Sequence, residues 1–118
     1  MRVLIVDDTP RARQSMKALL EVWHQLEEVR EATNGSEAVQ LAEEFQPDVI
    51  LMDARMPAMG GLEATRLIKA KMPQVKIILI SIYPDYQAIA LAAGADAFVC
   101  KSDPPERLRK TLAEVMQK

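Results

Sequence analysis

The chain has 118 residues, enough for one compact domain with a sizeable core and too few for two. Its apolar share of 49%, charged share of 27% and net charge of -2 are those of an ordinary globular protein and give no electrostatic footing for nucleic acid. One cysteine, Cys100, excludes an internal disulfide, and no apolar run approaches the roughly 20 residues of a membrane span. The N-terminus opens directly on strand pattern, and the expectation is a cytoplasmic chain with no membrane anchor and a small core thiol at Cys100.

The first element is "VLIV", residues 3 to 6, a β-rich apolar run that ends in two adjacent carboxylates, Asp7 and Asp8. Two unit charges about 4 Å apart repel by roughly 1 kcal/mol in water and several-fold more near a protein interior, so the pair needs a cation or open solvent. Thr9 then reads as an N-cap and Pro10 as a first helical residue, with Met16, Leu19, Leu20 and Trp23 at helical spacing. His24, the one histidine, is expected to be an end-of-helix surface residue. A weaker strand covers 29 to 32, and "TNGSE" and "FQPD" bracket a helix carrying Ala38, Leu41, Ala42 and Phe45.

The third strand, 49 to 52, runs into Asp53, and a helix with Leu62, Thr65, Leu67 and Ile68 follows. The fourth strand, 77 to 80, runs into Ser81; a helix ending at "AAGAD" follows. The fifth strand, 97 to 100, runs into Lys101, and Leu108, Leu112, Val115 and Met116 mark the last helix. Strands alternating with helices predict an α/β fold with a parallel sheet covered on both faces.

Ligands of open parallel sheets sit outside the carboxyl ends of the strands. Asp7, Asp8, Asp53, Ser81 and Lys101 all fall at such ends, whereas Asp48, Asp85, Asp96 and Asp103 read as turn or cap residues. Clustered carboxylates suit Mg²⁺, which takes one or two of them and binds phosphate oxygens; Mn²⁺ can substitute. A lone carboxylate beside such a cation, with an ammonium and a hydroxyl aimed at the same space, suits a nucleophile toward phosphorus. Asp53 fills that role, with Asp7 and Asp8 holding the metal.

At these residues the sequence resembles the receiver domain of two-component response regulators. The likeness is carried by "VLIVDD", "DVILMDARMPAMGGLEA", "IILIS" and "AGADAFVCK" and extends over residues 1 to 118, one receiver domain. It implies a doubly wound, flavodoxin-like five-stranded sheet of order 2-1-3-4-5. It also implies a phosphoryl group passed from a sensor histidine kinase to Asp53, making the chain a signalling phosphoacceptor and not an enzyme in its own right. Asp8 would be a direct metal ligand, Asp7 would act largely through water, and the Arg55 backbone carbonyl would complete the set. Ser81 and Phe98 would form the switch pair, and Lys101 would pair with phosphoryl oxygens.

Ser102 follows the lysine where most receivers have proline, which predicts a trans bond and resembles receivers attached to helix-turn-helix output domains that control transcription. Ile82 stands where many receivers carry a small residue beside the acceptor. Arg55 and Tyr83 border the path of hydrolytic water in the family. On the fourth helix, Ala90 and Leu91 are expected to face the sheet and Ala88, Ile89 and Ala92 to face outward. Those three form a small apolar patch suited to a phosphorylation-dependent homodimer or an output domain.

Two other readings compete. A haloacid-dehalogenase-like phosphatase needs a D-x-D-x-T spacing that "DDTP" lacks. A phosphorylation-independent interaction module of receiver fold would keep the sheet without needing all five polar side chains.

Overall fold

A computed structural model describes residues 1 to 23 and 25 to 117, so the reading of His24 lies outside the described residues. Five parallel strands, β1 (Arg2–Val6), β2 (Glu28–Ala32), β3 (Val49–Asp53), β4 (Lys76–Ser81) and β5 (Ala97–Cys100), form one sheet of order β2-β1-β3-β4-β5. They alternate with α1 (Pro10–Glu21), α2 (Gly35–Phe45), α3 (Gly61–Lys71), α4 (Tyr86–Ala92) and α5 (Pro105–Met116). This is the doubly wound order expected from the sequence, and the chain order reverses between β1 and β3.

The strands divide the core by the two-residue period of side chains along a strand. Leu4, Val6, Ile50, Met52, Ile77 and Leu79 point to the face that carries Ala38, Ala42 and Phe45 of α2 and Ala64 and Ile68 of α3. Val3, Ile5, Val49, Leu51, Ile78 and Ile80 point to the other, against Met16 and Leu20 of α1 and Leu108, Leu112 and Val115 of α5. With both faces covered, β3 is buried at every position, which is why its sequence is continuously apolar up to Asp53.

Several boundaries move. The spacing of α1 predicts helix as far as Trp23, but the helix ends at Glu21, and Val22 caps it while standing 68% exposed. Thr9 occupies the N-cap position without making a side-chain cap bond. Asn34 does cap α2, accepting from the Glu37 amide at 2.9 Å. Leu91, expected against the sheet, is 48% exposed, and Ala90 is the residue of α4 that is fully buried. The short α4 is held mainly by Ala90 and by Ala93 just beyond its end, so a seven-residue helix lacks the length to bury Leu91 as well. Cys100 is half-buried and not a core residue; Val99 takes the inward position, while the Cys100 thiol lies 3.1 Å from the Ser102 hydroxyl. No cis peptide bond occurs among the described residues, in keeping with a trans Lys101–Ser102 link.

Candidate functional site

At the carboxyl edge of the sheet, β1 delivers Asp7 and Asp8 and the neighbouring β3 delivers Asp53. One carboxylate oxygen from each of the three lies within 4.8 Å of the others. Asp7 is completely buried, Asp53 is 7% exposed, and Asp8 is open to solvent. Lys101, just past β5, reaches back so that Nζ lies 2.9 Å from Asp7 Oδ2 and 3.4 Å from Asp53 Oδ1. One ammonium therefore bridges two of three carboxylates.

The electrostatics follow from that crowding. Burial pushes the Asp53 carboxyl above its usual range; Asp7 and Asp8 push the same way, and Lys101 opposes them. Burial works against the charge of Lys101, yet its contacts with Asp7 and Asp53 outweigh burial and hold the amine above its usual value. Three carboxylates against one ammonium leave two negative charges unbalanced. Three hard oxygen donors with a partly exposed edge fit a small divalent ion such as Mg²⁺.

Backbone contacts fix the segment that follows Asp53. The Ala54 amide donates to Ile80 O at 2.8 Å, tying the turn after Asp53 to β4. A Cβ on Gly61 would stand 2.1 Å from Asp53 O, so only glycine lets α3 start this close to Asp53. Ala58 in the same loop takes a left-handed conformation at φ 65°.

The remaining expected residues occupy the same rim or the face behind it. Ser81 is buried at the end of β4, where its Oγ accepts from the Tyr83 amide at 3.0 Å; it makes no hydrogen bond to the acids. Phe98 is half-buried on β5 opposite Leu79 and packs against the α2–α3 side of the core. Arg55 is exposed on the loop after β3, and its guanidinium sits 5.2 Å from the centre of the Tyr83 ring. Tyr83 also approaches Tyr86 of α4, with ring centres 5.9 Å apart. Ala88, Ile89 and Ala92 are exposed, as expected, and are joined by Leu91. Asp48 and Asp96 act at the opposite edge of the sheet, where they accept from the Arg2 amide at 2.8 Å and the Ile77 amide at 2.9 Å.

Sequence reasoning missed Arg13. Its Nη1 donates to the backbone carbonyl of Asp7 at 2.7 Å and its Nε to Glu31 Oε1 at 2.9 Å. A signal existed: a cation near the N-terminus of a helix runs against the helix dipole and needs another partner.

A doubly wound sheet with a buried carboxylate, an acidic pair and a lysine along the carboxyl edge of its strands is the arrangement expected of a receiver domain. The family comparison agrees: residues 3–113 match the model for "Response regulator receiver domain", and the chain belongs to that family. Among curated relatives, the "Transcriptional regulatory protein LnrK" of Bacillus subtilis is 33% identical over 98% of this chain and 53% of its own length. The Escherichia coli "Nitrate/nitrite response regulator protein NarL" is 36% identical over 93% of this chain and 52% of its own. The chain thus spans about half the length of these relatives. Among solved structures, a "two-component response regulator, LuxR family, from Aurantimonas sp. SI85-9A1" superposes with a TM-score of 0.93 at 31% identity, covering 98% of this chain and 84% of that one. No helix among the described residues is long and apolar enough to cross a membrane.

Proposed function

We propose that Asp53 is the phosphoacceptor of this receiver and takes its phosphoryl group from a phosphohistidine of a sensor histidine kinase. The observation that carries the reading is the convergence of Asp7, Asp8 and Asp53 within 4.8 Å, with Lys101 bonded to two of them. An Asp53 carboxylate oxygen attacks phosphorus; the O–P bond forms as the P–N bond breaks, and the imidazole nitrogen keeps the electron pair. Lys101 Nζ, already 3.4 Å from Asp53 Oδ1, is within reach of an oxygen on the modified side chain.

Asp8, Asp53 and the Arg55 carbonyl would hold Mg²⁺ (or Mn²⁺) directly, and Asp7 through water. When bound, the ion supplies positive charge for the carboxylates and for the phosphoryl oxygens. Ser81 exchanges its bond from the Tyr83 amide for one to a phosphoryl oxygen, and Phe98 turns inward behind it, repacking the face built by α4, β5 and α5. That face meets a second copy or an output domain. The curated relatives are named as transcriptional regulators and extend well beyond the matched portion, which supports transcription control through such a domain in the cytoplasm. In this reading the chain is one receiver domain over residues 1 to 118 and binds neither nucleic acid nor membrane itself.

The test is intact mass spectrometry after incubation with a small-molecule phosphodonor. The reading expects a gain of one phosphoryl group that needs Mg²⁺ and vanishes in Asp53→Asn. A chain that never gains mass would instead be a phosphorylation-independent module, and a gain that is equal in EDTA would overturn the metal's part in the reaction.

A further inference from the structure

Asp8 is the exposed member of the acid cluster, and among the described hydrogen bonds its carboxylate has none to hold it. Its placement therefore depends on the backbone of the turn after β1. Asp7, by contrast, is tied at four points. Its amide donates to Ala32 O at 3.1 Å, and its Oδ1 accepts from the Thr9 amide at 2.9 Å. Its Oδ2 accepts from Lys101 at 2.9 Å, and its carbonyl accepts from Arg13 Nη1 at 2.7 Å.

The last of these is the one that acts on Asp8. The Asp7 carbonyl belongs to the Asp7–Asp8 peptide plane, and a planar peptide held at its oxygen has a fixed N–Cα direction into the next residue. Arg13 is itself immobilised. Its side chain is 15% exposed, and Glu31 at the end of β2 accepts from its Nε at 2.9 Å while also pairing with Lys17 at 3.1 Å. The fork geometry of a guanidinium allows both bonds at once; an ammonium offers a point charge on a flexible stem.

The geometry points to Arg13, backed by Glu31, as a positioning residue for divalent-cation binding: it clamps the Asp7–Asp8 peptide and so aims the Asp8 carboxylate at the metal site. This rests on the metal-binding reading of Asp7, Asp8 and Asp53. The clamp is not a charge device. The positive charge of Arg13 would by itself oppose cation binding, so its help comes through the hydrogen bond to the Asp7 carbonyl. Groups that orient metal ligands from behind typically change metal affinity by 10- to 100-fold when removed.

Calorimetric titration of Mg²⁺ alone into the purified chain tests this, using wild type, Arg13→Met, Glu31→Gln and the double variant, with circular dichroism melts showing that each is folded. Arg13→Met should weaken Mg²⁺ binding about tenfold, and Glu31→Gln by a smaller factor. The double variant has the wild-type net charge and should stay as weak as Arg13→Met; wild-type affinity there would overturn the clamp. Wild-type affinity in Arg13→Met would overturn the inference while leaving the metal site intact. Failure of wild type itself to bind Mg²⁺ would overturn the metal reading and the clamp with it. Should Arg13→Met not fold, Arg13→Lys serves: it keeps the charge, cannot make both bonds, and should still bind more weakly, whereas unchanged affinity would refute the clamp.

Discussion

Replacing Asp53 by asparagine removes one of three crowded negative charges while keeping the shape of the side chain. In the metal-free protein this should stabilise the fold. At the 4.8 Å limit and an effective dielectric near 20, Asp53 is repelled by Asp7 and by Asp8 by about 3.5 kcal/mol each. Lys101 at 3.4 Å returns about 5 kcal/mol of attraction, which leaves about 2 kcal/mol unfavourable. Solvent around Asp8 and Lys101 screens both sides of this balance, so a net gain of about 1–2 kcal/mol is expected in Asp53→Asn. For a chain of this length that corresponds to roughly 4–8 °C in melting midpoint.

The pH dependence follows from the raised Asp53 carboxyl, which burial pushes up above all, with Lys101 opposing and Asp7 and Asp8 adding to the rise. A carboxyl raised in the folded state costs nothing below the ordinary carboxylate range, where it is protonated both folded and unfolded. The cost grows as pH rises from that range through the folded value and is complete above it. Melts of wild type and Asp53→Asn in EDTA, at pH 7 and near pH 3, should show the gap at the first and little of it at the second. Equal midpoints at pH 7, or a less stable Asp53→Asn, would refute the electrostatic account; so would an equal gap at both pH values.

Gly61→Ala should cost about 2–3 kcal/mol by denaturant titration and slow phosphorylation, because its Cβ would meet Asp53 O at 2.1 Å and the backbone must move. Arg55→Ala and Tyr83→Ala each remove one half of the stacked pair beside the acceptor and should shorten the phosphorylated lifetime several-fold in a mass-resolved decay; unchanged lifetimes in both would show that the pair shields nothing. Ile89→Lys, at an exposed position, should leave Asp53 phosphorylation intact and lower any phosphorylation-dependent mass in sedimentation, while a wild type that stays monomeric when phosphorylated would rule out self-association through this face.

The parallel sheet and the main acids were legible because a parallel strand buried on both faces must be apolar until it ends, so a carboxylate at that point stands out, as Asp53 does after "VILM"; the strand order came from the family resemblance. The partners of Arg13 were not legible for the opposite reason, even though its place near a helix N-terminus called for one. Charged residues on a surface helix are the norm, and nothing in one-dimensional spacing brings Arg13 to the carbonyl of Asp7 or to Glu31 on a strand 18 residues away. Leu91 was misplaced because α4 has no charged residue on any side, which leaves its helical pattern without a polar stripe to set the phase. Gly61 lay visibly within the acceptor motif, but its close approach to Asp53 O depends on where α3 starts. The roles of Asp48 and Asp96 likewise depend on chain segments brought together only by the sheet: their partners, Arg2 and Ile77, lie 46 and 19 residues away.

The central claim is that one carboxylate, Asp53, carries the phosphoryl group. Treating the chain with phosphodonor and Mg²⁺, reducing the acyl phosphate with borohydride and mapping the product by tandem mass spectrometry reads that position directly. The account predicts homoserine at position 53, dependent on Mg²⁺, with Asp7 and Asp8 unreduced. Homoserine at position 7 or 8, or reduction that proceeds equally in EDTA, would contradict it.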